Sequence, residues 1–216
     1  MSKREELRPL IDAAMSLAAA RPWNEITYRD IVATAGLKLE EAHALAPGKG
    51  AILAALSRQA DRAVLAEPAA IEDGSARDRL FDVLMRRFDQ LKPYRSGLAS
   101  VAAASGRDPA LALGLAANLA CSMQAMLVAA GISTEGLVGL LRIKGTAAIW
   151  AGTFRTFLRD ENDDLSETMA SLDRKLRRAE SILQRCTWTA ARRKSEESEP
   201  PPKAEPEEPG PQAQPL

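Results

Sequence analysis

Residues 10–53 have the sequence LIDAAMSLAAARPWNEITYRDIVATAGLKLEEAHALAPGKGAIL, and this stretch decides the fold. Apolar residues recur every three or four positions over residues 5–20, which predicts a first helix with one buried face. Thr27 is followed three residues later by Asp30, which is the spacing of a capping box. A short second helix is therefore predicted over residues 28–35.

The turn residues that follow complete a recognisable unit. Gly36 suits the tight turn that ends a helix, and a third short helix is predicted over residues 38–45. Pro47 and Gly48 end it, and a longer helix follows. Two short helices around a glycine, with a helix on each side, are typical of a helix-turn-helix module. We therefore assign residues 1–48 to such a module and residues 49–67 to a connecting helix.

The rest of the chain is also predicted to be helical. Aromatic residues make up 4% of the sequence, alanine and leucine are abundant, and this mixture favours helices over strands. Further helical patterns cover residues 75–92, 96–105, 109–130, 134–159 and 165–193. The predicted fold class is all-α, with a second helical domain over residues 75–193. Residues 194–216 are rich in proline and glutamate, and we predict a disordered tail there.

Composition limits the functions to be considered. Lysine plus arginine (29) equals aspartate plus glutamate (29), so any DNA contact must be local. Cys121 and Cys186 have neither CxxC spacing nor a nearby histidine, so we interpret both as reduced packing residues and predict no metal site. The chain lacks a glycine-rich phosphate loop and a cysteine beside a base, so we expect no enzyme and no cofactor.

Two features bear on location. The N-terminus lacks the apolar core and cleavage site of a secretory signal, so a cytoplasmic protein is expected. Residues 109–134 carry no charge and are long enough to span a bilayer. Alanine and glycine dominate this segment and polar residues interrupt it, so we interpret it as a buried core helix without a transmembrane role.

The N-terminal pattern resembles the DNA-binding domain of TetR-family transcriptional regulators over residues 5–65. The resemblance rests on an alanine pair in the first helix, on T-x-x-D-I at residues 27–31 and on P-x-K at residues 47–49. It implies a DNA-binding regulator, a repressor, whose second domain binds a ligand and forms a homodimer. The DNA-contacting positions that it implies are Thr27, Tyr28, Lys38, Glu41, His43 and Lys49.

The third helix departs from the family pattern. Glu40 and Glu41 stand where glycine and threonine are usual, and His43 replaces a tyrosine. Carboxylates facing the groove repel phosphates unless they accept hydrogen bonds from cytosine amino groups. Two alternatives stay open for the basic residues: His43 as a surface histidine and Lys49 as a solvated first-turn lysine. Trp23 is predicted to pack beneath the module instead of stacking on a base.

A second resemblance favours another function. Residues 157–180, FLRDENDDLSETMASLDRKLRRAE, are similar to the lipid-binding accessory family of ubiquinone biosynthesis, which shares the TetR fold. This likeness implies a lipid- or quinone-binding accessory protein that does not read DNA. The aspartate-rich turn itself is predicted to cap the last helix instead of doing acid–base chemistry.

The second domain carries more apolar faces than one chain needs. The helices over residues 134–159 and 165–193 are predicted to pair with a second copy as a four-helix bundle. A pocket for an apolar or amphipathic ligand is predicted at Phe88, Leu119, Met123, Met126, Leu127 and Trp150, although core packing explains these residues equally well. The basic last helix, with Leu176, Ile182, Leu183 and Trp188, offers an alternative peripheral membrane contact.

Overall fold

A computed structural model describes residues 3–67 and 74–197, and within them the side chains of residues 6–67 and 74–182. The helices are α1 Lys3–Ala20, α2 Tyr28–Thr34, α3 Leu39–Leu45, α4 Lys49–Ala66, α5 Ala76–Leu91, α6 Arg95–Ser105, α7 Pro109–Ala129, α8 Gly136–Phe157 and α9 Ser166–Glu197. The described ranges contain no strand, which confirms the all-α prediction.

Contacts divide the chain into two compact units, Met1–Ala179 and Glu180–Leu216. The first unit contains α1 to α8 and the first part of α9, so it includes residues 1–67 and residues 75–179 of the predicted second domain. The described part of the second unit continues α9 to Glu197, past the predicted helix end at residue 193. The remainder of the predicted tail lies outside the described residues.

The helix-turn-helix begins with the predicted capping box. The Thr27 hydroxyl accepts a hydrogen bond from the backbone N–H of Asp30 at 3.2 Å, and the Asp30 carboxylate accepts one from the N–H of Thr27 at 2.9 Å. These bonds satisfy two N–H groups that a helix start otherwise leaves without partners. Gly36 has a φ of +68°, a conformation that favours glycine, and it turns the chain from α2 towards α3.

The helix-turn-helix module packs on α6 through a very close approach of two helices. A Cβ atom added to Gly97 of α6 would lie 2.6 Å from the backbone carbonyl oxygen of Met15 in α1. Nearby, the Ser100 hydroxyl accepts a hydrogen bond from the backbone N–H of Trp23 at 2.9 Å. The indole of Trp23 is buried, which agrees with the predicted place beneath the module. Glycine at position 97 therefore allows α1 and α6 to meet at backbone distance.

Aromatic side chains of α5 and α8 pack together in the core of the predicted second domain. The rings of Phe88 and Trp150 stack with centroids 3.9 Å apart, and Phe157 lies 5.0 Å from Phe88. Leu172 and Leu176 of α9 are buried against the same core. The predicted membrane face on α9 therefore loses Leu176 to the interior, whereas Leu183 and Trp188 lie outside the described side chains.

The aspartate-rich turn caps α9, as the sequence predicts. The fully buried Asp160 carboxylate accepts hydrogen bonds from the backbone N–H and the hydroxyl of Thr168, at 2.8 and 2.7 Å. Burial on its own raises the pKa of Asp160, but the hydrogen bonds from Thr168 and Asn162 outweigh it and hold that pKa below the ordinary value. Asp164 similarly accepts a hydrogen bond from the N–H of Ser166 at 3.1 Å.

Helix α7 is less enclosed than its sequence predicts. It is the one helix among the described residues that is both long enough and apolar enough to cross a membrane. Of its most apolar 18-residue window, 22% is buried. Its buried face consists of Ser122, Met123, Met126 and Leu127. Cys121 is exposed, so the packing role predicted for it is wrong, and Cys186 lies outside the described side chains. A core helix passes the same length test as a membrane span, so this single helix is weak evidence for a span.

Candidate DNA-reading surface and ligand cavity

Helix α3 presents its first turns to solvent. Lys38, Leu39, Glu40 and His43 are exposed there, and Thr27 is exposed at the start of α2. Arg29 of α2 lies beside this face and lines a shallow depression with Leu39, Glu40 and His43. We call Thr27, Arg29, Lys38, Leu39, Glu40 and His43 the reading surface. Arg29 was missing from the predicted contacts, although its place one residue after the Tyr28 position could have suggested it.

Glu41 has a structural task within α3. Its carboxylate accepts a hydrogen bond from the backbone N–H of Lys38 at 3.2 Å, so it caps the start of the helix. A carboxylate near a helix N-terminus is also favoured by the helix dipole. The spacing of Lys38 and Glu41 could have predicted this bond. Glu41 is exposed like Glu40, but its carboxylate is partly committed to α3 itself.

Tyr28 ties α2 to the end of α3. Its hydroxyl donates a hydrogen bond to the backbone carbonyl of Ala46 at 2.8 Å, and the residue is half-buried. Burial raises the pKa of Tyr28, and a backbone hydrogen bond from Gly48 opposes this rise. The hydroxyl proton is thus used within the module, although the oxygen retains capacity as an acceptor.

Lys49 likewise points into the module. Its ammonium donates hydrogen bonds to the carbonyl oxygens of Trp23 and Ile26, at 2.7 and 2.6 Å, and lies 4.4 Å from the centre of the Trp23 ring. Burial lowers the pKa of Lys49, while the charges of Asp108 and Asp30 oppose this shift. Lys49 is therefore half-buried and bonded, unlike the solvated first-turn lysine left open as an alternative. We call these contacts the Lys49 latch.

Replacing Lys49 with methionine is expected to lower the free energy of unfolding by about 1–2 kcal/mol. The reason is that two carbonyl groups lose a charged donor while the apolar stem still packs. Urea denaturation followed by circular dichroism measures the change. Lys38→Met is the matched control, since Lys38 is exposed in the same module, and its stability should stay near that of the parent. Equal stability of both variants would contradict the latch.

A cavity of about 250 Å³ lies between α4 and the helices that follow it. Its walls come from α4, α5, α6, α7 and α8 and are mostly leucine, alanine, valine and aromatic side chains. Its polar lining residues are Ser57, Arg87, Ser105 and Asn118. The sequence predicted a pocket between α5, α7 and α8, and the structure adds walls from α4 and α6.

The six residues predicted for the pocket are divided between cavity and core. Leu119 and Trp150 line the cavity. Phe88, Met123, Met126 and Leu127 are instead buried in the hydrophobic core and are not part of this lining. For these four residues the structure agrees with the core packing that the sequence left open as an alternative. Phe88 still supports the cavity, because it stacks on Trp150.

Arg87 is the feature of the cavity that sequence reasoning missed. It is 3% exposed, and its Nε donates a hydrogen bond to Asp61 Oδ1 at 2.7 Å. Its Nη2 donates to the hydroxyls of Ser57 and Ser122, at 2.9 and 3.1 Å, and Ser122 donates to Asp61 Oδ2 at 2.6 Å. The guanidinium also lies 4.4 Å from the centre of the Trp150 ring. We call these five residues the Arg87 cluster.

The Arg87 cluster joins four helices through one buried charge pair. Asp61 and Ser57 belong to α4, Arg87 to α5, Ser122 to α7 and Trp150 to α8. Burial lowers the pKa of Arg87, and the charge of the Asp61 carboxylate and its hydrogen bond oppose that shift. A signal existed in the sequence: Arg87 falls on the apolar face of α5 between Leu84 and Leu91.

The described residues contain no group of three or more histidine, cysteine, aspartate or glutamate side chains that could hold a metal ion.

Comparison with known proteins supports the fold alone. No protein-family model matches the chain, and no curated sequence matches it. A crystal structure of the TetR transcriptional regulator from Nitrosomonas europaea ATCC 19718 aligns with a TM-score of 0.65 and 23% identity, covering 80% of this chain and 97% of that one. A TetR transcriptional regulator from Rhodococcus sp. RHA1 aligns with a TM-score of 0.54 and 17% identity, covering 81% of this chain and 96% of that one.

Proposed function

We propose, from the TetR-like fold that this chain shares with those two regulators, that it is a cytoplasmic, ligand-responsive transcriptional repressor. It would bind DNA as a homodimer through the reading surface. The observation that carries this proposal is the way α3 is mounted. Tyr28 and the Lys49 latch hold the module together through internal hydrogen bonds, while the side chains of Lys38 and His43 are exposed to solvent. A rigid exposed helix of this kind suits the major groove.

The position of α4 supports a response to ligand. Its first residue forms the Lys49 latch, and further along the same helix Leu53, Leu56 and Ser57 line the cavity. A molecule that fills the cavity therefore acts on the helix that holds the helix-turn-helix module. Two reading helices must stand roughly 34–36 Å apart to grip one face of the duplex. A small displacement of α4 in each protomer changes that spacing and weakens DNA binding.

Exposed apolar side chains support a homodimer through α8. Leu137 is 82% exposed and Leu141 is 68% exposed, and Val138 and Leu140 lie beside them. A contiguous apolar surface of this kind is typical of a site that binds another protein. Met169 of α9 is also exposed, whereas Leu172 and Leu176 are buried in the core of their own chain. The proposed dimer face therefore rests mainly on the first half of α8.

Replacing Leu137 and Leu141 together with glutamate is expected to raise the dimer dissociation constant by at least about 100-fold. Each substitution occurs twice in a twofold dimer, and each one removes the burial of a leucine and adds a charge. Sedimentation equilibrium measures the effect. Leu65→Glu on α4 is the control, because Leu65 is also exposed, at 49%, but belongs to another helix. Dimerisation unchanged in the double variant would refute the face.

Selection of genomic DNA fragments by the purified protein, at a fixed and known salt concentration, tests the DNA-binding function. We expect the purified protein to enrich a palindromic site. The double variant Arg29→Ala/Lys38→Ala should bind that site more weakly and with a smaller salt dependence. If both residues neutralise phosphates in both protomers, the slope of log K against log salt falls by about 3–4. Arg107→Ala, exposed outside the reading surface, should retain the parental slope.

A second candidate function follows from the acidic character of α3. Glu40 is exposed on the reading surface, where it repels phosphate. This observation favours the lipid- or quinone-binding accessory protein that residues 157–180 resemble, in which the fold is kept and DNA reading is lost. Failure to enrich any DNA site at low salt, together with lipid or quinone in the purified protein by mass spectrometry, would support this candidate over the repressor.

A further inference from the structure

The cavity holds a hydrogen-bond donor that the protein leaves unused. Arg87 bonds through Nε and Nη2, whereas its Nη1 donates to no acceptor in the part of the chain that the structure describes. Nη1 is not fully enclosed either, and Arg87 lines the cavity. An acceptor atom placed in the cavity can therefore reach its N–H groups. Water in the cavity can meet this donor, so an apolar ligand that displaces the water keeps the hydrogen bond only if it brings an acceptor of its own.

The charge around Arg87 limits what that acceptor is. Asp61 lies 2.7 Å from the guanidinium, so the ion pair as a whole brings no net charge to the cavity. A carboxylate ligand would add a second negative charge beside Asp61 and would lose its hydration in an apolar cavity. A neutral carbonyl oxygen accepts the same hydrogen bond without either cost.

The volume limits the size of the ligand. A cavity of about 150 Å³ with aliphatic and aromatic walls is enough to bind benzene. The cavity here measures about 250 Å³ and has walls of the same kind. It therefore has room for one aromatic ring or a comparable aliphatic body with a short polar substituent.

The geometry of the donor is set before any ligand arrives. The guanidinium is held by Asp61 on one edge, by Ser57 and Ser122 on another, and by the ring of Trp150. Fixing a binding group in advance lowers the entropy cost of complex formation.

We propose that the cavity binds a small, uncharged, largely apolar molecule through a carbonyl oxygen that accepts a hydrogen bond from Arg87 Nη1. This assignment deepens the proposed function, since it names the ligand class of the same cavity. Its test uses no DNA, so the ligand assignment and the DNA-binding function fail separately.

Three probes of similar shape test it on the full chain. Acetophenone carries a carbonyl group, ethylbenzene has no acceptor, and benzoate carries a charge. Titration calorimetry should give a dissociation constant for acetophenone about 10-fold lower than that for ethylbenzene, the effect of one hydrogen bond to a charged donor. Benzoate should bind more weakly than acetophenone by a similar factor. Equal binding of acetophenone and ethylbenzene, tightest binding of benzoate, or no binding of any probe at millimolar concentration would each overturn the assignment.

Two variants connect the selectivity to Arg87. The double variant Arg87→Met/Asp61→Leu replaces the ion pair with apolar side chains, a change that folded proteins often tolerate. It should bind acetophenone and ethylbenzene equally. Arg21→Met, far from the cavity on the surface, should keep the 10-fold preference. A double variant that folds, as judged by circular dichroism, and still prefers acetophenone would show that Arg87 does not read the carbonyl.

Discussion

Replacing Asp61 with leucine is expected to lower the free energy of unfolding by about 3–5 kcal/mol. The substitution leaves the Arg87 guanidinium, 3% exposed, without its carboxylate, and an uncompensated buried charge is among the costliest single changes. For a chain of this length the midpoint of thermal unfolding should fall by about 10 °C. Differential scanning calorimetry at neutral pH measures both quantities.

Two companion variants separate the charge pair from simple packing. Arg87→Met/Asp61→Leu should recover most of the lost stability, because neither charge remains in the interior. Arg21→Met breaks a surface pair with Asp30 that has the same 2.7 Å separation as the buried pair, and its effect should be far smaller. If the double variant were as unstable as Asp61→Leu, the loss would come from the leucine and not from the charge.

Replacing Gly97 with alanine is expected to lower the free energy of unfolding by about 2–3 kcal/mol. The new Cβ would lie 2.6 Å from the carbonyl oxygen of Met15, and this atom belongs to the backbone of α1 and cannot turn aside like a side chain. Overpacking of this kind outweighs the roughly 1 kcal/mol that alanine gains over glycine within a helix. Chemical denaturation with urea measures the change.

Gly114→Ala is the matched control, since it makes the same substitution inside another helix. A Cβ at Gly114 of α7 meets nothing within 4 Å, so this variant should gain up to about 1 kcal/mol from helix propensity alone. Opposite signs for the two variants would confirm the close approach of α1 and α6. A gain at Gly97 similar to that at Gly114 would show that the helices are further apart.

Local chemistry explains which parts of the fold could be predicted. The Thr27–Asp30 capping box, the turn at Gly36 and the cap at Asp160 each depend on residues close together in sequence, and all three occur in the structure. The helix ends were predicted less accurately. For example, α2 ends at Thr34, one residue before its predicted end. Fraying and competing turn bonds make such ends hard to fix from sequence.

The site depends on contacts that sequence spacing does not show. Arg87 and Asp61 are 26 positions apart, and their pairing requires knowledge of how α4 packs on α5. The same reason explains Lys49, which was predicted to contact phosphate but bonds to carbonyl groups of its own module. The adaptable side chains of Met123 and Met126 indicated a pocket, whereas the packed helices enclose both residues in the core.

The hydrogen bond between Trp23 and Ser100 spans 77 positions, and this separation has a consequence for synthesis on the ribosome. The N-terminal helices leave the exit tunnel well before α6 has been translated, so the nascent chain must wait without the surface on which they pack. During that interval the face around Met15 stays open to other chains and to chaperones. The helix-turn-helix module is made before α6, yet its packing is completed only when that helix arrives.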